Sequence, residues 1–195
     1  IDQVQLGEIP VSIHAVISSS SQALGLQRAK RANIKTHTIE PKDFDSKQDY
    51  EHALIAQIDD YQPQLVVLAG YMHILGKELV THYAQRMLNI HPSLLPAFPG
   101  LDTHTRALNS GCKRHGASVH FVTPEVDAGP VIVQASVPVL TTDTPETLAA
   151  RVLEQEHRIY PLAIRWFAEG RLQIKHGRAL LDNEQRPEQG LVDPQ

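Results

Sequence analysis

The sequence predicts an α/β fold, an open and mostly parallel sheet whose C-terminal strands turn antiparallel. Three observations predict it. Strand-like and helix-like segments alternate through the first half of the chain. The run Leu65–Gly70 (LVVLAG) is continuously apolar over strand length, as a parallel strand buried on both faces should be. After Gly100 two strands follow each other across a connection suited to a hairpin rather than a crossover. At 195 residues the chain suits a single domain, long enough to bury a core without staples.

The elements follow in order. Val11–Ile17 alternates apolar and polar residues and meets the serine run Ser18–Ser21, a strand and then a loop. Gln22–Ala32 has helical character, and Gln48–Tyr61, carrying Ala53, Leu54, Ile55 and Ile58, reads as an amphipathic helix closed by Pro63. A further helix runs through Leu79, Val80 and Tyr83, before a short strand at Met87–Ile90. ASVHFV and VIVQASVPV are strands flanking the connection TPEVDAGP. A long helix spans Thr144–Glu169, with Thr144 as N-cap, Pro145 at the first helical position and Gly170 as the stop. Residues 182–195 are polar, with two prolines and one glycine, and are expected to form a mobile tail.

Composition narrows the function. A net charge of −4 and a pI near 6.3 argue against a nucleic-acid surface. The basic cluster Arg28, Lys30, Arg31 and Lys35 reads as a solvated helix face. The single cysteine, Cys112, allows no internal disulfide and predicts a reducing, cytoplasmic home. No stretch has the length of a membrane span, and the first residues are not a signal peptide. The eleven histidines show no zinc spacing, so no metal is expected. Ser18–Ser21 lacks a phosphate-loop pattern, and Cys112 lacks an activating one.

The chemistry concentrates in NIHPSLLPAFPG. Asn89 and His91, two apart on a strand, project to one face where that strand ends, which is where ligands bind in open α/β sheets. Pro92, Pro96 and Pro99 stiffen the loop after the strand, and a cis Leu95–Pro96 bond is expected in so tight a turn. A capping Asn and a structural His would show the same spacing. Asp127, in EVDAGP, is an ordinary turn residue unless the hairpin folds back over His91. Glu156 lies on the apolar stripe Leu148, Val152, Ile159, Ala163 and Phe167, where an acid needs either a bound ligand or a salt bridge.

Taken together, NIHPSLLPAFPGLDTH, HGASVHFVTPEVDAGPVIVQ, EQEHRIYPLAIRWFAEGRL and the upstream VVLAGYMHIL resemble the phosphoribosylglycinamide formyltransferase family across essentially the whole chain. The resemblance implies a Rossmann-like formyltransferase fold. It also implies transfer of a formyl group from 10-formyltetrahydrofolate to the amine of glycinamide ribonucleotide, in de novo purine synthesis. The family's catalytic Asn, His and Asp fall on Asn89, His91 and Asp127. Its folate pocket falls on Lys47, on Met72, His73, Ile74 and Leu75, on Asn89, and on Thr123, Pro124, Glu125, Val126 and Asp127. The substrate-binding acid falls on Glu156. In that reading Asn89 and a protonated His91 donate to the developing oxyanion, Asp127 favours the imidazolium, and proton transfer runs through water. Two residues depart from the pattern, His73 and Lys47, both at positions where relatives commonly carry Arg.

Two relatives share this core. Methionyl-tRNA formyltransferases add a C-terminal domain, for which the roughly twenty-five residues after the long helix are too few, and formyltetrahydrofolate hydrolases usually add an N-terminal one. A non-catalytic folate-binding module would have no use for Asn89, His91 and Asp127 together. Small-molecule substrates are the expected partners, and the sequence leaves the oligomeric state open. Relatives open with a strand and a glycine-rich turn that cradles the substrate phosphate. Here Ile1–Gln3 resemble the tail of the helix after that turn, so an upstream segment is expected before Ile1. A strand position should then lack its partner beside Val11–Ile17 or beside Leu65–Ala69.

Overall fold

A computed structural model of the chain describes residues 1–184 and 191–192. The first elements are a short helix α1 (Asp2–Gln5), strand β1 (Ala15–Ser18), helix α2 (Leu24–Arg31) and strand β2 (Lys35–Thr38). β1 starts four residues later than the alternation predicts. Its parallel partner β2 offers only four residues, so no ladder extends back to Val11.

Next come α3 (Lys47–Asp59), β3 (Val66–Leu68), α4 (Lys77–His82) and β4 (Met87–His91). Ser46 caps α3 by accepting from the Asp49 N–H, a contact of the kind that contributes about 1 kcal/mol. β3 and β4 pair in parallel, whereas β4 pairs antiparallel with β5 (Arg114–Phe121), and β5 with β6 (Val131–Pro138). The predicted hairpin is therefore present, reached through a helix α5 (Thr103–Ser110) that the sequence pattern does not set apart. α6 (Pro145–Ala168) has the expected cap: Thr144 and Thr147 exchange side-chain and backbone hydrogen bonds, with Pro145 at the start and Gly170 at φ +69 just past the end. A second hairpin, β7 (Leu172–Lys175) with β8 (Arg178–Leu181), follows α6 without a signal in the sequence pattern.

The expected tail over 182–195 needs correcting in part. Asp182, Asn183 and Glu184 form a turn in which Leu181 and Glu184 exchange backbone hydrogen bonds, and β9 (Leu191–Val192) pairs in parallel with β6. Backbone pairing, unlike side-chain polarity, tolerates any residue with an N–H to give. The rest of that tail lies outside the described residues.

Two cores result. Leu88, Val119, Ile132, Val133, Val137, Leu148, Val152 and Ile159 are buried where β4, β5 and β6 meet α6. Tyr50, Leu54, Leu79, Tyr83 and Met87 form a second cluster under α3 and α4, against which Ile17, Val66 and Leu68 also pack. Among the described residues β1 pairs only with β2, and β3 only with β4, so each has one free edge. Double-sided burial of LVVLAG is not observed: Val67, facing away from the second cluster, is 40% exposed.

Candidate active site

β4 delivers the first two residues. In the antiparallel register Asn89 stands opposite His120, and His91 opposite Ser118. Asn89 Nδ2 lies 3.3 Å from His120 Nε2. The loop 122–130 folds back, so that Asp127 Oδ2 sits 3.3 Å from His91 Nδ1 and Oδ1 lies 3.6 Å from His120 Nε2. The fold-back depends on Gly129, where an added Cβ would lie 1.8 Å from the Phe121 carbonyl oxygen. Asn89, His91 and Asp127 thus converge, and His91, His120 and Asp127 all have side chains at most 11% exposed.

His120 is the functional residue that sequence reasoning misses. Its signal is there: in ASVHFV it is a polar residue between the apolar Val119 and Phe121, on a strand with no reason to bury a ring nitrogen. His120 Nδ1 lies 2.9 Å from the Phe121 carbonyl, which only accepts, so Nδ1 carries the proton. Its Nε2 faces both the Asn89 amide and Asp127 Oδ1, and an Asn89 N–H remains for a ligand.

The same logic fixes His91. Its Nε2 donates to the Phe98 carbonyl at 2.9 Å, and Nδ1 faces a carboxylate, so the imidazolium satisfies both contacts. Asp127 also accepts the Gly100 N–H at 2.9 Å. Burial pushes the Asp127 carboxyl upward, but the His120 and Gly100 hydrogen bonds and the nearby His91 outweigh it, and its pKa is net lowered. The pocket is strained as well as charged: Phe98, Asp102 and Asp127 hold φ of 52°, 56° and 52°, in the left-handed region.

The proline loop behind His91 is pinned by polar side chains. Ser118 Oγ donates to the Ser93 carbonyl at 2.6 Å and accepts the Leu95 N–H at 3.0 Å. Gln134 Nε2 donates to both the Leu95 carbonyl and Ser118 Oγ. The Leu95–Pro96 bond is cis, as expected.

Several of the predicted folate residues are exposed. Met72, Ile74 and Val126 are apolar side chains 71%, 66% and 50% exposed. Leu75 and Val122, at the ends of the two loops, both pack on the second core cluster. Glu51, itself buried, accepts the Gly76 N–H at 2.6 Å and lies 3.6 Å from Lys47 Nζ, tying α3 to the end of the 72–75 strip. The exposed His73 ring leans edge-on to Tyr71 at 5.4 Å. Thr123 Oγ1 donates to the Glu125 carbonyl, and Pro124 and Glu125 are exposed.

Glu156 is half-buried at the border of the α6 stripe; the position that points inward is Gln155. No Arg or Lys pairs with Glu156 among the described residues, and burial raises its pKa against the opposing pull of His157. One helical turn on, the buried Tyr160 hydroxyl lies 2.6 Å from the Leu68 carbonyl and 3.0 Å from that of Leu88, the residue before Asn89. That contact moors α6, one turn beyond Glu156, to β3 and β4.

Behind the site, His115 is 1% exposed, and neither ring nitrogen makes a hydrogen bond. Its ring packs edge-on to His104 at 5.2 Å and to Phe98 at 5.9 Å. Burial, with His104 and His91 adding to it, pulls its pKa down to about 4, although the Pro92 carbonyl opposes the shift. A histidine lowered on folding binds its proton first in the unfolded chain. Stability should therefore be intact above about pH 6.5 and fall on the order of 2 kcal/mol toward pH 4. Urea midpoints at pH 7 and pH 5 measure this, and His115→Phe should flatten the difference. An equal acid loss in His115→Phe would assign it to another group.

Among the described residues no group of three or more His, Cys, Asp or Glu is placed to hold a metal ion, and no helix is long and apolar enough to cross a membrane.

Comparison with known proteins identifies the family. A family model described as formyl transferase matches residues 1–164. Phosphoribosylglycinamide formyltransferase of Escherichia coli K12 is 52% identical over 98% of this chain and 91% of its own length. That of Haemophilus influenzae is 44% identical over 99% of this chain and 91% of its own. The solved phosphoribosylglycinamide formyltransferase of Coxiella burnetii superposes with a TM-score of 0.93 at 48% identity, over 99% of this chain and 90% of that one. The chain belongs to the formyl transferase family, in its phosphoribosylglycinamide branch.

Proposed function

We infer that the protein transfers a formyl group from 10-formyltetrahydrofolate to the amine of glycinamide ribonucleotide, the step its relatives are named for. One observation carries the assignment of residues: Asn89, His91 and Asp127 meet at the end of β4, with both partners of His91 built in. The neutral amine forms a bond to the formyl carbon while negative charge gathers on the formyl oxygen. The free Asn89 N–H donates to that oxygen, and the 3.3 Å His91–Asp127 contact is loose enough for the Nδ1 proton to be shared with it. Ionised Asp127 stabilises the charged ring and accepts the amine's proton, directly or through water. The bond to the folate nitrogen then breaks as that nitrogen is reprotonated. Lys47, Met72, His73, Ile74, Leu75 and residues Thr123–Val126 form the folate face in this reading. No step of this chemistry calls for a metal. A coupled absorbance assay with glycinamide ribonucleotide, initiator tRNA or water as acceptor tests it: turnover with the first alone is expected, and turnover only with another would overturn it.

Glu156, half-buried and with no Arg or Lys partner among the described residues, is assigned to the ribonucleotide. Glu156→Gln should weaken ribonucleotide binding about tenfold, while the rise in melting temperature given by a folate analogue stays intact. Unchanged ribonucleotide affinity would return Glu156 to a structural role.

A further inference from the structure

The segment Phe98–Leu101 holds both catalytic partners yet has little to hold it. The Phe98 carbonyl accepts from His91, and the Gly100 N–H donates to Asp127. No backbone–backbone hydrogen bond secures residues 98–101 among the described residues, and Phe98 and Asp102 sit in left-handed conformations at either side. Such a segment keeps its shape only if side chains impose it.

One side chain outside the reaction does so. Arg106, in the first turns of α5, donates from Nη1 to the Pro99 carbonyl at 2.5 Å and to the Leu101 carbonyl at 3.2 Å, and its guanidinium stands 5.7 Å from the centre of the Phe98 ring. The four polar contacts interleave along the chain: Phe98 to His91, Pro99 to Arg106, Gly100 to Asp127, Leu101 to Arg106. Fixing the Pro99 carbonyl fixes the peptide plane that carries the Gly100 N–H, because both belong to one planar unit. The Phe98 carbonyl belongs to the preceding unit, whose ring the guanidinium also steadies. Arg106 is exposed, and among the described residues it makes no ion pair: its partners are two carbonyls and the Phe98 ring.

We propose that Arg106 is a positioning residue for the formyl transfer, holding the Phe98–Leu101 backbone so that His91 and Asp127 are presented in working orientation. The proposal rests on the functional reading above. A charged hydrogen bond to two carbonyls has the strength to select one loop conformation over its alternatives. A small misplacement of a catalytic pair costs turnover more than binding.

The test compares Arg106→Ala, Arg106→Lys and wild type by steady-state kinetics, with Arg165→Ala as a control whose guanidinium bonds the remote Glu8 carbonyl. Arg106→Ala should lower kcat about tenfold, with KM for either substrate within about twofold and the melting temperature within about 2 °C, because the side chain is exposed. Arg106→Lys, able to reach one carbonyl but not to brace both, should recover part of kcat. Wild-type kcat in Arg106→Ala would overturn the proposal. So would a loss of kcat matched by a loss of folded protein, or an equal loss in Arg165→Ala. Should wild type fail to formylate glycinamide ribonucleotide, the functional reading falls instead. The positioning role is then read from the His91 ring N–H resonances in NMR: a shift in Arg106→Ala supports it, and identical spectra overturn it.

Discussion

His91→Ala should retain the fold and lose about 100-fold or more in turnover, with Asn89→Ala and Asp127→Asn falling in the same range. Removal of His91 takes away one donor to the formyl oxygen and leaves Asp127, among the described residues, with the Gly100 N–H and His120. Asp127→Asn keeps the shape but presents no charge to hold an imidazolium. Asn89→Ala deletes the other donor and releases His120 Nε2. Since the three meet in one contact set, single and double mutants should lose nearly equal amounts. Additive losses would mean that they act separately, and wild-type turnover in His91→Ala would remove the mechanism.

Gly129→Ala is expected to be as damaging for a different reason. The new methyl would stand 1.8 Å from the Phe121 carbonyl oxygen and 2.9 Å from its carbon, and a strand backbone cannot step aside as a flexible side chain would. Relief comes only by lifting the 122–130 loop away from β5, and that loop carries Asp127. The variant should melt several degrees lower, in keeping with a loss of about 2 kcal/mol or more, and turn over at a level near that of Asp127→Asn. Ala at this position with unchanged melting and turnover would show that the loop does not need its close approach to Phe121.

The sequence discloses the site better than it discloses the frame around it. Asn89 and His91 are visible because alternation along a strand fixes which side chains share a face, and the prolines after them have no other evident purpose. Asp127 can be named but not placed, since a turn residue acquires chemistry only when the loop lands on a partner. His120 is hidden among buried neighbours: a polar residue within an apolar strand shows itself only once the register sets it opposite Asn89. The β7–β8 hairpin escapes notice because its strands are four residues each, too short for alternation to stand out between a long helix and a polar tail. Double-sided burial of LVVLAG is overestimated because composition reports a strand's suitability for a sheet centre and not whether both neighbours are present. Glu156 shows the limit of helical periodicity. The stripe locates it to within one position, but the inward residue is Gln155, and only the absence of a cation beside Glu156 among the described residues separates a ligand contact from a salt bridge.

The antiparallel pairing of β4 with β5 gathers the chemistry in one place. Asn89, His91, His120 and Asp127 all hang from β4, β5 and the loop between β5 and β6. Because successive side chains of a strand point to opposite faces, a one-residue slip in that pairing would turn Asn89 and His91 away from His120 and Asp127 together. The β4–β5 register is therefore one structural requirement that all four site residues share.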